Sequence, residues 1–159
     1  MTRNLKIVFI ILSLIFPLAS CDPYMLYDEY SKTEGGEWKW SDKKTFEVEV
    51  TDSLGLYDII LNFRHTTNYP KSNLFVFVTT TAPTGDHRRD TVEVIIADER
   101  GKWKGNGFSD IKLVSREFRR AVRFLFPGKY IFEIEQGMRL PEIPVTDVGL
   151  RIEEYKNID

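Results

Sequence analysis

From residue 45 onward, hydrophobic and polar residues alternate in short runs bounded by turn residues, the period-two pattern of strands with one buried face. Thr45-Phe46-Glu47-Val48-Glu49-Val50 alternates strictly, with Phe46, Val48 and Val50 on one side. Tyr57 to Arg64 is apolar and β-branched enough for a more deeply buried strand, and Leu74 to Thr81 is rich in Phe, Val and Thr. Thr91 to Ile96 is another strand, and Asp98-Glu99-Arg100-Gly101 turns it into Lys102-Trp103. Tyr130 to Glu135 and Val148 to Glu153 alternate cleanly. About eight strands with turn signals between them predict an all-β fold, an antiparallel β-sandwich of jelly-roll type spanning 37–159. No long stretch carries a helical stripe. Ser115 to Arg123 is expected as a short helical turn or a basic loop, since Phe118 and Val122 stand four apart.

The pattern before residue 37 is different. Arg3 and Lys6 precede an apolar run from Ile7 to Leu18, interrupted only by Ser13 and Pro17. That run is short of the roughly 20 residues a membrane-spanning helix needs, but suits the core of a signal peptide over 1–20. Leu18-Ala19-Ser20-Cys21 follows, and it resembles the lipobox of bacterial lipoproteins, in which cleavage before the cysteine exposes a thiol that receives diacylglycerol. Cys21 is the single cysteine of the chain, so no internal disulfide accounts for it. Residues 21–36, with Pro23 and Gly35-Gly36, are expected to be a lipidated tether rather than a strand.

Charge narrows the partners. Of 22 Lys and Arg and 24 Asp and Glu, Arg3 and Lys6 belong to the signal segment, leaving 22 − 2 = 20 basic against 24 acidic residues, a net of −4. Such a body neither neutralises nucleic-acid phosphates nor adheres electrostatically to an anionic bilayer. Membrane attachment therefore falls to lipid on Cys21.

Little else in the chain suggests chemistry. His65 and His87 are far apart and lack metal-ligand neighbours, and His87 lies in what looks like a solvated hairpin loop, residues 85–90. No nucleophile elbow or phosphate-binding glycine loop is present, and Glu47, Glu49, Glu133 and Glu135 fall on the outer faces of strands. No catalytic residue, metal, cofactor or small-molecule substrate is expected. Trp38, Trp40 and Trp103 admit two readings: rings that cap the core, or a platform for sugars on a glycan-binding module. Gly101, Gly105 and Gly107 in Gly101-Lys102-Trp103-Lys104-Gly105-Asn106-Gly107 suggest positive φ or close approach by another chain, and a calcium site at Asp110 is conceivable.

Several segments together resemble the gliding-motility lipoprotein GldH family of the Bacteroidota. They are Asn73-Leu74, Thr81-x-Pro83, Asp90-Thr91, Ala97-Asp98-x-x-Gly101-x-Trp103-x-Gly105-x-Gly107 and Asp110-Ile111. Phe126-Pro127-Gly128-x-Tyr130-x-Phe132, Gln136-x-Met138-Arg139 and Asp147 to Glu153 complete the series, and the arginine-rich stretch before Phe126 departs from it. The resemblance implies a non-enzymatic cell-envelope accessory of the gliding machinery and its associated protein export. It carries no ligand-binding residues of its own. With lipid on Cys21, the expected location is a membrane of the cell envelope, the periplasmic face of the outer membrane favoured. A partner surface is expected on the loops bearing Trp103, Gly105, Gly107 and Asp110, with Met138 and Arg139, because aromatic, Met and Arg side chains are enriched at interfaces. The alternative is that the glycines serve turn geometry while Arg139 and Arg151 pair with acids such as Asp147.

Overall fold

The computed structural model describes residues 22–156. The expected signal segment, Cys21 and residues 157–159 lie outside them. Among the described residues ten strands are formed: β1 Met25–Lys32, β2 Trp38–Lys39, β3 Lys44–Val50, β4 Tyr57–Thr66, β5 Asn73–Thr81, β6 His87–Ile95, β7 Ile111–Val122, β8 Gly128–Gln136, β9 Glu142–Ile143 and β10 Val145–Glu154. Among the described residues the one helical turn is a 3-10 turn at Glu34–Gly36. No helix there is long and apolar enough to cross a membrane.

The strands form two four-stranded antiparallel sheets, ordered β1-β10-β4-β7 and β3-β8-β5-β6, with β2 and β9 paired as a small ribbon. With the ribbon set aside, the eight long strands follow the order of a jelly roll, each connection crossing between the sheets except the β5–β6 hairpin. The alternation legible in the sequence supplies the core. Phe46, Val48 and Val50 of β3, Phe132 and Ile134 of β8, and Leu74, Val76 and Val78 of β5 meet Leu61 and Phe63 of β4 and Leu150 and Ile152 of β10. Burying each such side chain contributes about 1.5–3 kcal/mol relative to exposure.

Three expectations are corrected. Residues 22–36 are not a free spacer, because β1 pairs with β10 along Met25 to Lys32. A register shift between Met25 and Tyr27 breaks its alternation and hides the strand from a period-two reading. Ser115 to Arg123 is neither helix nor loop but most of β7, the edge of its sheet. Two shifts in its pairing with β4 disturb the period, and Ala121, at φ 50°, donates its N–H to Asp58 Oδ1 at 2.8 Å. Its exposed Arg116, Glu117 and Arg120 protect the open edge from pairing with another chain. Finally, His87 to Asp90 belongs to β6, and the hairpin loop is only 82–86.

Candidate functional site

The two ends of the sandwich differ. One is marked in the first sheet by the row Met25, Glu153, Asp58 and in the second by the pair Val50 and Gly128. Loops 51–56 and 123–127 join the two sheets there, so both rows lie at the same end. The described chain also begins at this end. From this end β4 runs from Tyr57 to Thr66, roughly 30 Å at the usual strand rise, to the far end. At that far end lie loops 33–43, 67–72, 96–110 and 137–141.

The near end is organised by Arg151. Its guanidinium donates to three carboxylates: Nη2 to Asp22 Oδ2 at 2.6 Å, Nη1 to Asp28 Oδ2 at 2.9 Å, and Nε to Glu153 Oε2 at 2.7 Å. The hydrogen bond from Arg151 holds the Asp22 carboxyl below its ordinary range, and the three acids raise the pKa of Arg151 further. The expected pairing of Arg151 with Asp147 is not what forms. Asp147 is met by Arg64, at 3.6 Å.

At the far end, loop 96–110 folds back as a flap. The Asp98 carboxylate accepts the N–H groups of Arg100 and Lys102, both at 2.9 Å, and Gly101 turns the chain at φ 77°. Ala97 then bridges to Trp103, and Asn106 to Leu113. This pairing explains Gly105 and Gly107. A Cβ on either would collide with the backbone of β7, at Leu113 and at Ile111. The close approach expected at these glycines is thus made by the chain's own strand. Trp103 is half-buried, its ring tilted 5.1 Å from that of His65, which also meets Tyr69 at 5.6 Å. His65 is fully buried. Its Nδ1 lies 2.9 Å from the Thr66 carbonyl, while Nε2 has no hydrogen-bond partner among the described residues. Burial pushes its pKa below the ordinary value.

Asp110 is exposed, and its carbonyl accepts from Thr67 N at 2.8 Å. The loop carbonyls beside it are engaged by a lysine. Lys112 Nζ donates to Ser109 O at 3.0 Å and Gly107 O at 3.2 Å, so an ammonium occupies the position in which a bound calcium would use them. Among the described residues no cluster of three His, Cys, Asp or Glu could hold a metal ion.

Met138 and Arg139 lie on loop 137–141 at the same end, beside a groove of about 590 Å³ that also touches Lys71, Asn73 and Phe75. Met138 is packed, its sulfur 3.3 Å from Phe75 N. Arg139 makes no hydrogen bond or ion pair among the described residues. A second groove of about 610 Å³, bordered by Asp98, Arg100 and Lys104, shares Asn73 with the first. The far end thus gathers both expected groups, the flap with Trp103, Gly105, Gly107 and Asp110 and the loop with Met138 and Arg139. Sequence reasoning missed Phe108, which is 96% exposed on the flap. Its apolar side chain between a glycine and a serine was the available signal.

The tryptophans do not form a platform. Trp38 is fully buried, stacked 6.2 Å from Phe63 with Nε1 donating to Asp42 O at 2.7 Å. Trp40 points outward instead, because β2 ends at Lys39 and the chain turns. With Trp103 packed on His65, no two rings share an open face, and the glycan-binding reading loses its site.

Comparison with known proteins adds four similarities. The profile described as GldH lipoprotein matches residues 25–152. A gliding motility lipoprotein GldH homolog of Christiangramia forsetii is 35% identical over 163 residues, covering 98% of this chain and 99% of that protein. The gliding motility lipoprotein GldH of Flavobacterium johnsoniae is 36% identical over 160 residues, covering 96% and 97%. Among solved structures, that of the infectious bursal disease virus Gx strain aligns with 86% of this chain and 31% of its own, at 12% identity and a TM-score of 0.34.

Proposed function

The chain belongs to the GldH lipoprotein family, and from that premise we propose that it is a lipid-anchored accessory of a gliding apparatus, acting by contact rather than by catalysis. Lipid on Cys21 fixes the protein to a membrane of the cell envelope, at the periplasmic face of the outer membrane. Two or three acyl chains, the number that makes such an anchor stable, hold it permanently. The partners are other envelope proteins of the gliding and associated export machinery.

The observation that carries this reading is the separation of the two ends. Arg151 binds Asp22, the residue after Cys21, at one end of the sandwich. The exposed Phe108 and Arg139, the latter without an ion-pair partner among the described residues, project from the other. A protein fixed at one end and offering an aromatic and an arginine at the other is suited to a structural or adaptor role. Lys112 engages the loop carbonyls beside Asp110, and Trp38 and Trp103 pack inward rather than forming a shared sugar platform.

Photo-crosslinking in cells tests this. A photoreactive residue at Phe108 or Arg139 is expected to capture a defined envelope protein, and the same residue at outward-facing Glu47 of β3 to capture none. Absence of any adduct from both far-end positions would contradict the proposal.

A further inference from the structure

Six large apolar side chains stand exposed at the near end: Leu54 at 78%, Leu125 at 71%, Phe126 at 46%, Tyr24 at 45%, Met25 at 42% and Leu56 at 39%. They come from three segments widely separated in sequence; the end of β10 ties two of them together by backbone hydrogen bonds, and loop 123–127 reaches the same end from β7. Tyr155 N donates to Leu56 O at 2.8 Å, and Glu154 N to Tyr24 O at 2.8 Å. Scattered exposed leucines need no explanation, but a grouping on one end of a domain does.

We propose that this end is a membrane-docking face. Loops 51–56 and 123–127 seat Leu54, Leu125 and Phe126 in the interfacial layer of the bilayer that holds the lipid on Cys21. The inference rests on the lipid anchor proposed above and adds an orientation to it.

The position of the anchor identifies the occupant. Cys21 is the residue before Asp22, so their Cα atoms are about 3.8 Å apart. Asp22 is held to the sheet by Arg151 at 2.6 Å, and three residues later β1 is already paired with β10. No spacer separates lipid from domain, and whichever surface surrounds Asp22 is brought against the bilayer. That surface is the apolar end. Its margin suits the headgroup layer: Lys156 Nζ lies 3.6 Å from the centre of the Tyr24 ring, and the Arg120 guanidinium 5.4 Å from that of Tyr155. Tyr rings and basic groups are enriched at that depth. The insertion itself is apolar, since acidic Asp22, Asp52, Asp58 and Glu154 share this end and the chain from Cys21 onward carries a net −4. It is therefore independent of anionic lipid and of salt.

The test uses the lipidated protein reconstituted sparsely in phosphatidylcholine vesicles. Lipidation blocks the Cys21 thiol, so Leu125→Cys introduces a single free thiol for an environment-sensitive fluorophore. The expected result is a blue-shifted emission, quenched by lipids bearing a nitroxide near the headgroup and unchanged in about 1 M salt. The same label at Phe108→Cys, on the far end, is expected to stay aqueous and unquenched. Protein that floats with the vesicles while the Leu125 label remains unquenched would overturn the docking face and leave the anchor standing. A blue shift arising only at high protein density, without nitroxide quenching, would assign the face to a second copy and likewise overturn it. Protein that neither floats nor carries diacylglyceryl mass removes the anchor, and the docking face with it.

Discussion

Arg151 Nη2 lies 2.6 Å from Asp22 Oδ2, joining the residue after Cys21 to a central strand of its sheet. The same guanidinium serves Asp28 and Glu153, so one side chain ties both Asp22 and the edge strand β1 to β10. Replacing it with Gln leaves three acids without their shared partner. Arg151→Gln is expected to cost roughly 1 kcal/mol, modest because the pairs are partly solvated. Faster amide exchange is expected along Met25 to Lys32, with the rest of the fold unchanged. Arg151→Lys should not rescue it, since an ammonium cannot serve three acids in fork geometry. Unaltered exchange in β1 would show that backbone pairing alone orders the strand.

Gly149 of β10 is opposite Tyr30 of β1, and a Cβ there would meet the Tyr30 ring at 2.7 Å. The ring in turn stacks beneath the Arg64 guanidinium, 4.4 Å from its centroid. Gly149→Ala is expected to displace Tyr30 and destabilise the protein by about 1–3 kcal/mol, the usual cost of overpacking. In a Tyr30→Ala background the same substitution should cost much less. Thermal or denaturant unfolding of the four proteins in the cycle measures the coupling. Equal costs in both backgrounds would mean that the glycine is needed for another reason.

These two relationships show what was legible in the sequence and what was not. The run Val148 to Glu153 announced a strand by its alternation, and Val148, Leu150 and Ile152 are buried. Nothing in one dimension told that Arg151 would reach Asp22, a partner more than a hundred residues away. Strands that bury one unbroken face, such as β3, were readable. β1 and β7 were not, because register shifts interrupt their period and their exposed edges are necessarily polar. The glycines at 105 and 107 were recognised as constrained, but only the fold reveals β7 as the neighbour that constrains them. Trp38 and Trp40 stand two apart, a spacing that would put both on one face of an extended strand. The turn after Lys39 sends one inward and the other out. The expected partner residues fell at one end, which the strand order explains and the sequence alone did not.

Stability should depend on pH through His65. Desolvation lowers its folded pKa below 6.5, a backbone hydrogen bond to Thr66 opposes this, and Lys112 adds to it. Below pH 6.5 the unfolded state therefore binds the proton first. Stability is full above about pH 6.5 and declines as pH falls toward the folded value, by at most about 1.4 kcal/mol per pH unit. Denaturation midpoints between pH 7 and 5 for the wild type and His65→Phe check this, the variant being expected to lose the slope over the first part of the descent. Identical slopes would place the dependence elsewhere.

The far end should tolerate charge changes without loss of fold. Phe108 and Arg139 are exposed, so Phe108→Asp and Arg139→Glu are expected to shift stability by no more than about 0.5 kcal/mol. Membrane partition should be unaffected. If they contact a partner, its capture should fall about tenfold or more, as for interface anchors worth over 1.4 kcal/mol. Crosslinking yield from neighbouring Asn106 reads this, and an unchanged yield would remove both residues from the interface.

Deletion of the gene in its own organism, followed by measurement of surface spreading, tests membership of a gliding apparatus most directly. The expected result is loss of spreading, restored by the wild-type gene and not by Cys21→Ala. Spreading that continues undiminished in the deletion strain would contradict that role and leave the family relationship as ancestry alone.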